Sequence, residues 1–89
     1  MIRRLDYKVP GGKLLRLRAE LDGDVLKSIT IAGDFFIHPE DAIMLLEASL
    51  NGVSVKDREC LSRTVAEVLE GAVLVGFSED DLIDSIGML

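Results

Sequence analysis

Ile31-Ala32-Gly33-Asp34-Phe35-Phe36-Ile37-His38-Pro39-Glu40-Asp41 is the stretch at which the chain changes regime. Before it, apolar residues recur at every second position. After it they recur every third or fourth, so strands precede the stretch and helices follow. Gly33 and Asp34 interrupt the strand pattern. Pro39, with Glu40 and Asp41 behind it, reads as the first turn of a helix, since proline suits that position and acids suit the positive end of the dipole. The stretch is therefore expected to be the crossover from a sheet to its covering helices. In extended backbone Phe35 and Phe36 point to opposite sides. Either one ring faces outward toward a partner, or a twist lets both pack inward.

On the N-terminal side, Val25 to Ala32 carries Val25, Leu26, Ile29 and Ile31. Strict alternation would set Lys27 beside Ile29 and Ile31, and a bulge near Lys27 and Ser28 restores Leu26, Ile29 and Ile31 to one face. Asp22-Gly23-Asp24 signals a tight hairpin, with Asp-Gly supplying central residues of positive φ. The preceding segment, Lys13 to Asp22, alternates cleanly. Leu15, Leu17, Ala19 and Leu21 are expected inward, and Arg16, Arg18, Glu20 and Asp22 outward. A first strand over residues 2–9 sets Leu5, Tyr7 and Val9 on one face, and Pro10-Gly11-Gly12 ends it.

On the C-terminal side, Ala42, Ile43, Leu46 and Leu50 follow helical spacing, with Leu45 widening the stripe, until Asn51-Gly52 ends the helix. Residues 53–56 read as a short link. Asp57 is a candidate N-cap for a second helix whose stripe is Leu61, Val65, Val68, Leu69 and Ala72. Residues 72–76 suit a short strand or a buried loop, and Gly76 with the cap behind it favours the loop. Ser78 and Asp81 form a capping-box pattern opening a third helix with Leu82, Ile83 and Ile86, and Phe77 is placed to staple to Leu82. The expected fold is α+β, a three-stranded antiparallel sheet followed by three helices packed on one of its faces. It makes one domain of residues 1–89, with the sheet in 1–33 and the helices in 39–89.

Eighty-nine residues supply one modest core, too shallow for a deep enclosed active site. No run of about 18 apolar residues exists, and the opening residues lack a signal-peptide pattern, so a cytoplasmic location is expected. The net charge of −6 is uneven. Residues 1–27 hold seven basic and four acidic residues, a balance of +3, whereas residues 28–89 hold three and twelve, a balance of −9. Such a chain is a poor non-specific nucleic-acid binder, and its asymmetry suits an oriented protein partner. Cys60, the single cysteine, reads as a helical packing residue, and His38 has no companions to make a metal site.

Two further features invite chemistry. Pro10-Gly11-Gly12-Lys13 resembles a phosphate-cradling turn in composition, yet a strand follows it where a phosphate loop needs a helix, so a hairpin connection is favoured. Lys8, Lys13 and Arg16 nonetheless make a basic edge for an anion held mainly by another protein. Asp34 at a strand end either caps local N–H groups or reaches across an interface. His38 either caps the helix or meets a partner. Neither the acids nor the thiol form a catalytic constellation, so no catalytic residue is assigned. The residues describe a partner-facing module without saying which partner.

Lys8-Val9-Pro10-Gly11-Gly12-Lys13-Leu14, the Asp-Gly hairpin and Gly33-Asp34-Phe35-Phe36-Ile37-His38-Pro39-Glu40 together resemble the accessory domain of lipoate–protein ligases, across nearly the whole chain. In that family a larger catalytic domain binds ATP and lipoate with Mg, forms lipoyl-AMP and passes the lipoyl group to a lysine of a lipoyl acceptor domain. The resemblance implies the separate, small-subunit form: a heterodimer with a catalytic chain, needed chiefly for adenylation, with transient contact to the acceptor domain. It also implies a docking surface drawn from Lys8, Gly11, Gly12, Lys13, Gly33, Asp34, Phe35, Phe36 and His38. Two other readings predict different things. A generic adaptor would bind some other enzyme, and a sulfur-transfer protein would need a reactive Cys60.

Overall fold

A computed structural model describes residues 1–89. β1 (Ile2–Lys8), β2 (Leu14–Asp22) and β3 (Val25–Gly33) form an antiparallel meander in that spatial order. The chain continues through β4 (Phe36–His38), α1 (Ala42–Ser49), α2 (Arg58–Val68), β5 (Val73–Val75) and α3 (Glu79–Gly87). α1 packs on β3, α3 packs on β2, and α2 lies against both helices. The expected α+β architecture, helices on one face of a three-stranded sheet, is the one observed.

The alternation of β2 creates that one-sidedness. Leu15, Leu17, Ala19 and Leu21 are buried, while Arg16, Arg18, Glu20 and Asp22 are exposed. Leu26, Ile29 and Ile31 of β3 join them beneath the helices. Glu20 opposes Ser28 and Leu21 opposes Leu26, which leaves Lys27 as the extra residue of the expected bulge. The hairpin differs from expectation by one position. Asp22 pairs with Val25, so Gly23-Asp24 is the connection and only Gly23 has positive φ. This is a turn with glycine first of its two central residues.

Three helical details follow from the chain's path. α1 begins at Ala42, behind a separate turn at residues 39–41, with the Ala42 N–H donating to Pro39 O at 3.1 Å. The first helical turn expected at Pro39 is thus a tighter i→i+3 turn, and α-helical bonding starts only at Asp41, whose carbonyl accepts the Leu45 N–H at 3.1 Å. Leu45 does not widen the buried stripe and is 58% exposed. At 100° per residue it points roughly 100° from the centre of the face made by Ala42, Leu46 and Leu50. α2 and α3 begin as the sequence indicates: Asp57 accepts the Cys60 N–H at 3.1 Å, and Ser78 and Asp81 complete a reciprocal capping box.

The outer edge of β3 is closed by neighbouring chain. Gly52 N–H donates to Leu26 O at 2.7 Å, Leu26 N–H to Val53 O at 2.9 Å, and Val55 N–H to Asp24 O at 2.8 Å. Further along, Glu47 of α1 accepts the Ile31 N–H at 2.7 Å. The segment expected to be a plain link therefore satisfies strand groups that would otherwise template unwanted pairing.

Leu45 and Leu46, adjacent in sequence, give a direct test of the packing. Leu46→Ala should cost about 2–5 kcal/mol in urea unfolding, because it opens a cavity at a fully buried site. Leu45→Ala should stay within about 0.5 kcal/mol.

Candidate functional site

The β1–β2 connection is a braced loop. Val9 N–H donates to Lys13 O at 3.0 Å, and Gly12 N–H donates to Val9 O at 2.9 Å. The Lys8 ammonium folds back on the same loop, donating to Gly12 O and, at 3.4 Å, to Val9 O. β2 follows directly, so the turn is the hairpin connection favoured from sequence.

Two distant segments close on this loop. From just after β3, Asp34 Oδ1 accepts the Leu14 N–H at 2.8 Å. From just after β5, Gly76 O accepts the Lys13 N–H at 2.8 Å. Residues 8–14, 33–36 and 73–77 thus meet at one end of the main sheet. The approach is close enough to dictate residue type. A Cβ on Gly12 would overlap Gly76 O, and a Cβ on Gly33, whose φ is 153°, would overlap Leu14 O.

The two phenylalanines divide as extended backbone requires. Phe35 is half-buried and meets the buried Phe77 edge-on, with centroids 4.7 Å apart and planes at 61°. Phe36 is 70% exposed. It lies on β4, which pairs antiparallel with β5: Phe36 opposes Val75, and His38 opposes Val73. Those four side chains share the outward face of a two-stranded ribbon, while Ile37 and Leu74 turn inward. Residues 73–75 are therefore a strand, not the favoured loop. Gly76 ends that strand without preventing it, and β4 supplies the backbone partners that a loop would lack.

Asp34 takes the local capping role. The Leu14 N–H holds its carboxyl below the ordinary carboxylate value, its own backbone N–H, Lys13 and Lys8 act in the same direction, and desolvation opposes them. Gly11 and Lys13 are exposed at the loop, and His38 is exposed on the ribbon, not at a helix start. Arg16 turns instead toward Asp6, 4.0 Å away on the opposing strand. Val73 and Val75 are the site residues that sequence reasoning missed. Their signal was the β-branched Val-Leu-Val triplet; what was invisible was its partner some three dozen residues earlier.

No group of three or more His, Cys, Asp or Glu side chains is arranged to hold a metal ion. The surface has two open depressions, one of which adjoins the junction along Leu14, Arg16 and Asp34. Cys60 is half-buried in the first turn of α2.

No family model matches the chain. Lipoate-protein ligase A subunit 2 of Thermoplasma acidophilum is 34% identical to it over 89 residues, which is 100% of this chain and 92% of that protein. The chain belongs to the lipoate-protein ligase A subunit 2 family. A solved structure from the same organism, of a bipartite lipoate protein ligase and its E2 lipoyl domain, includes a chain that superposes with a TM-score of 0.79 at 32% identity. That alignment covers 97% of this chain and 94% of the matched one. The ligase-subunit family thus accounts for the whole fold and not only for the two motifs at residues 8–14 and 33–40.

The braced end of this ligase-family subunit should be sensitive to charge at Asp34. The folded-state pKa of Asp34 is depressed, so its contribution to stability is fully present above the unfolded value of about 3.9 and is lost as pH falls through the folded value. Asp34→Asn should be less stable than wild type near neutral pH, and the gap in thermal midpoint should close through that acid window. A gap that stays constant down to the lowest pH would show that the carboxylate charge does not brace the loop.

Proposed function

We propose that this chain is the non-catalytic accessory subunit of a bipartite lipoate–protein ligase, acting as a heterodimer with a separate catalytic chain. The observation that carries the reading is the apolar outward face of the β4–β5 ribbon, Phe36 with Val73 and Val75, mounted on a rigid junction at an end of the molecule. Three large apolar side chains that are half or more exposed make a surface suited to a partner, and their backbone is fixed by pairing before any partner arrives.

In this reading the catalytic chain carries ATP, Mg and lipoate together with its own reactive lysine, and lipoyl-AMP forms there. The accessory chain supplies a preformed docking edge: Phe36, Val73, Val75 and His38 from the ribbon, and Lys8, Gly11, Lys13 and Asp34 from the junction. Phe35, Gly12 and Gly33 support that edge from within. Docking holds the catalytic chain's substrate loops closed over the site and excludes water that would hydrolyse the adenylate. Both chains work in the cytoplasm. An acceptor lipoyl domain then receives the lipoyl group on a lysine.

ATP- and lipoate-dependent pyrophosphate release by the catalytic chain measures the proposed step. Adding this chain should raise the rate strongly, and equal rates with and without it would remove the reading. Phe36→Asp removes no core contact, so it should leave the thermal midpoint near wild type. It should weaken complex formation by about tenfold or more, the effect expected for an anchor aromatic.

A further inference from the structure

The face of the main sheet turned away from the helices is bare, and its charges are arranged against its own stability. Arg4 stands directly opposite Arg18 on the neighbouring strand, and Arg18 opposes Thr30 on the next, so the three form one row across the sheet. All three are exposed. Directly opposed side chains on one face have Cβ atoms about 4.5–5.5 Å apart, and like charges at that spacing repel.

No ion pair within the chain engages either arginine. The ion pairs in the protein are Arg16–Asp6, Arg58–Asp84 and Arg63–Glu59, and neither Arg4 nor Arg18 takes part in any of them. The neighbouring acids on this face are Asp6, which is drawn to Arg16, and Glu20, which stays beyond ion-pair distance of both arginines. A chain with sixteen acidic residues thus pairs neither of these two directly opposed arginines.

We propose that this open face, centred on Arg4 and Arg18, docks an acidic protein surface that supplies carboxylates to the pair. Guanidinium forks match carboxylates in a bidentate way, and Thr30 adds a hydroxyl at the end of the row. A polyanion such as nucleic acid fits poorly, because the remainder of the chain carries an excess of negative charge that repels an extended string of phosphates. A protein with one local acidic patch meets only the local field. The choice of partner rests on the ligase reading: the protein that must come to the assembled complex is the lipoyl acceptor domain. Lys8 lies on the same face at the junction end of β1, so an acceptor seated on the arginine row would border the docking edge for the catalytic chain.

The test uses the complex of this chain with its catalytic subunit, titrated with the unmodified E2 lipoyl domain as probe at low and physiological salt. The double variant Arg4→Gln/Arg18→Gln should bind the domain about tenfold more weakly and with a flatter salt dependence. The KM for the domain should rise by a similar factor while pyrophosphate release stays unchanged. Its thermal midpoint should equal or exceed that of wild type, since a repulsive pair has been removed. Failure of the wild-type complex to bind the domain, or unaltered affinity and KM in the variant, would overturn the proposal. So would a lowered thermal midpoint, which would make the pair structural, or equally effective competition by inorganic phosphate or short single-stranded DNA. Pyrophosphate release indifferent to the whole chain would count against the ligase reading instead, and the titration would still decide the arginine site by itself.

Discussion

Half of β2 has to leave water, and almost everything else in the molecule answers that demand. Leu15, Leu17, Ala19 and Leu21 line one side of the central strand, and fully burying each leucine favours folding by about 1.5–3 kcal/mol. A three-stranded meander cannot cover its own face, so α1 and α3 lie over it and α2 completes the layer. The covering is one-sided because the alternate residues, Arg16, Arg18, Glu20 and Asp22, must remain hydrated. A helix on that side would strip water from several charges at once, at a cost no modest core could offset. The result is a slab with one packed face, one wet face and an exposed rim.

That slab was legible in the sequence wherever the signal was local. The period of two in residues 14–22, the bulge at Lys27, the cap at Asp57 and the capping box at Ser78 each depend on residues within a few positions of one another, and each was found. Pairing between distant segments was not legible. Val73-Leu74-Val75 became a strand because Phe36-Ile37-His38 was there to pair with it, and a pairing across more than thirty residues leaves no local trace. Leu45 failed for a different reason. Helical spacing gives the angle of a side chain but not the width of the groove it faces, and α1 presents a narrower face than its composition suggests. The turn centres on Gly23-Asp24 because Asp22 is still paired, opposite Val25, as the last rung of the ladder.

The candidate site was legible only in outline. The two motifs at residues 8–14 and 33–40 marked an end of the molecule, but their division into supporting and outward-facing residues was settled by geometry. Gly12 and Gly33 are where they are because backbone carbonyls occupy the space a side chain would need. Phe35 is committed to Phe77, which leaves Phe36 free. Asp34 holds the Leu14 N–H and so ties β3's end to the start of β2. The surface that results is polar at the loop and apolar at the ribbon.

The closing of the junction by Gly76 and Phe77 has a consequence for biosynthesis. Residues 2–33 hold the whole β1–β2–β3 meander, yet the ribbon at its end stays unpaired until residues 73–77 have also left the ribosome. A nascent or prematurely ended chain therefore displays the sheet without the finished ribbon. Between those two points in synthesis β4 is an unpaired strand edge, so the order in which the segments emerge decides when that edge is closed.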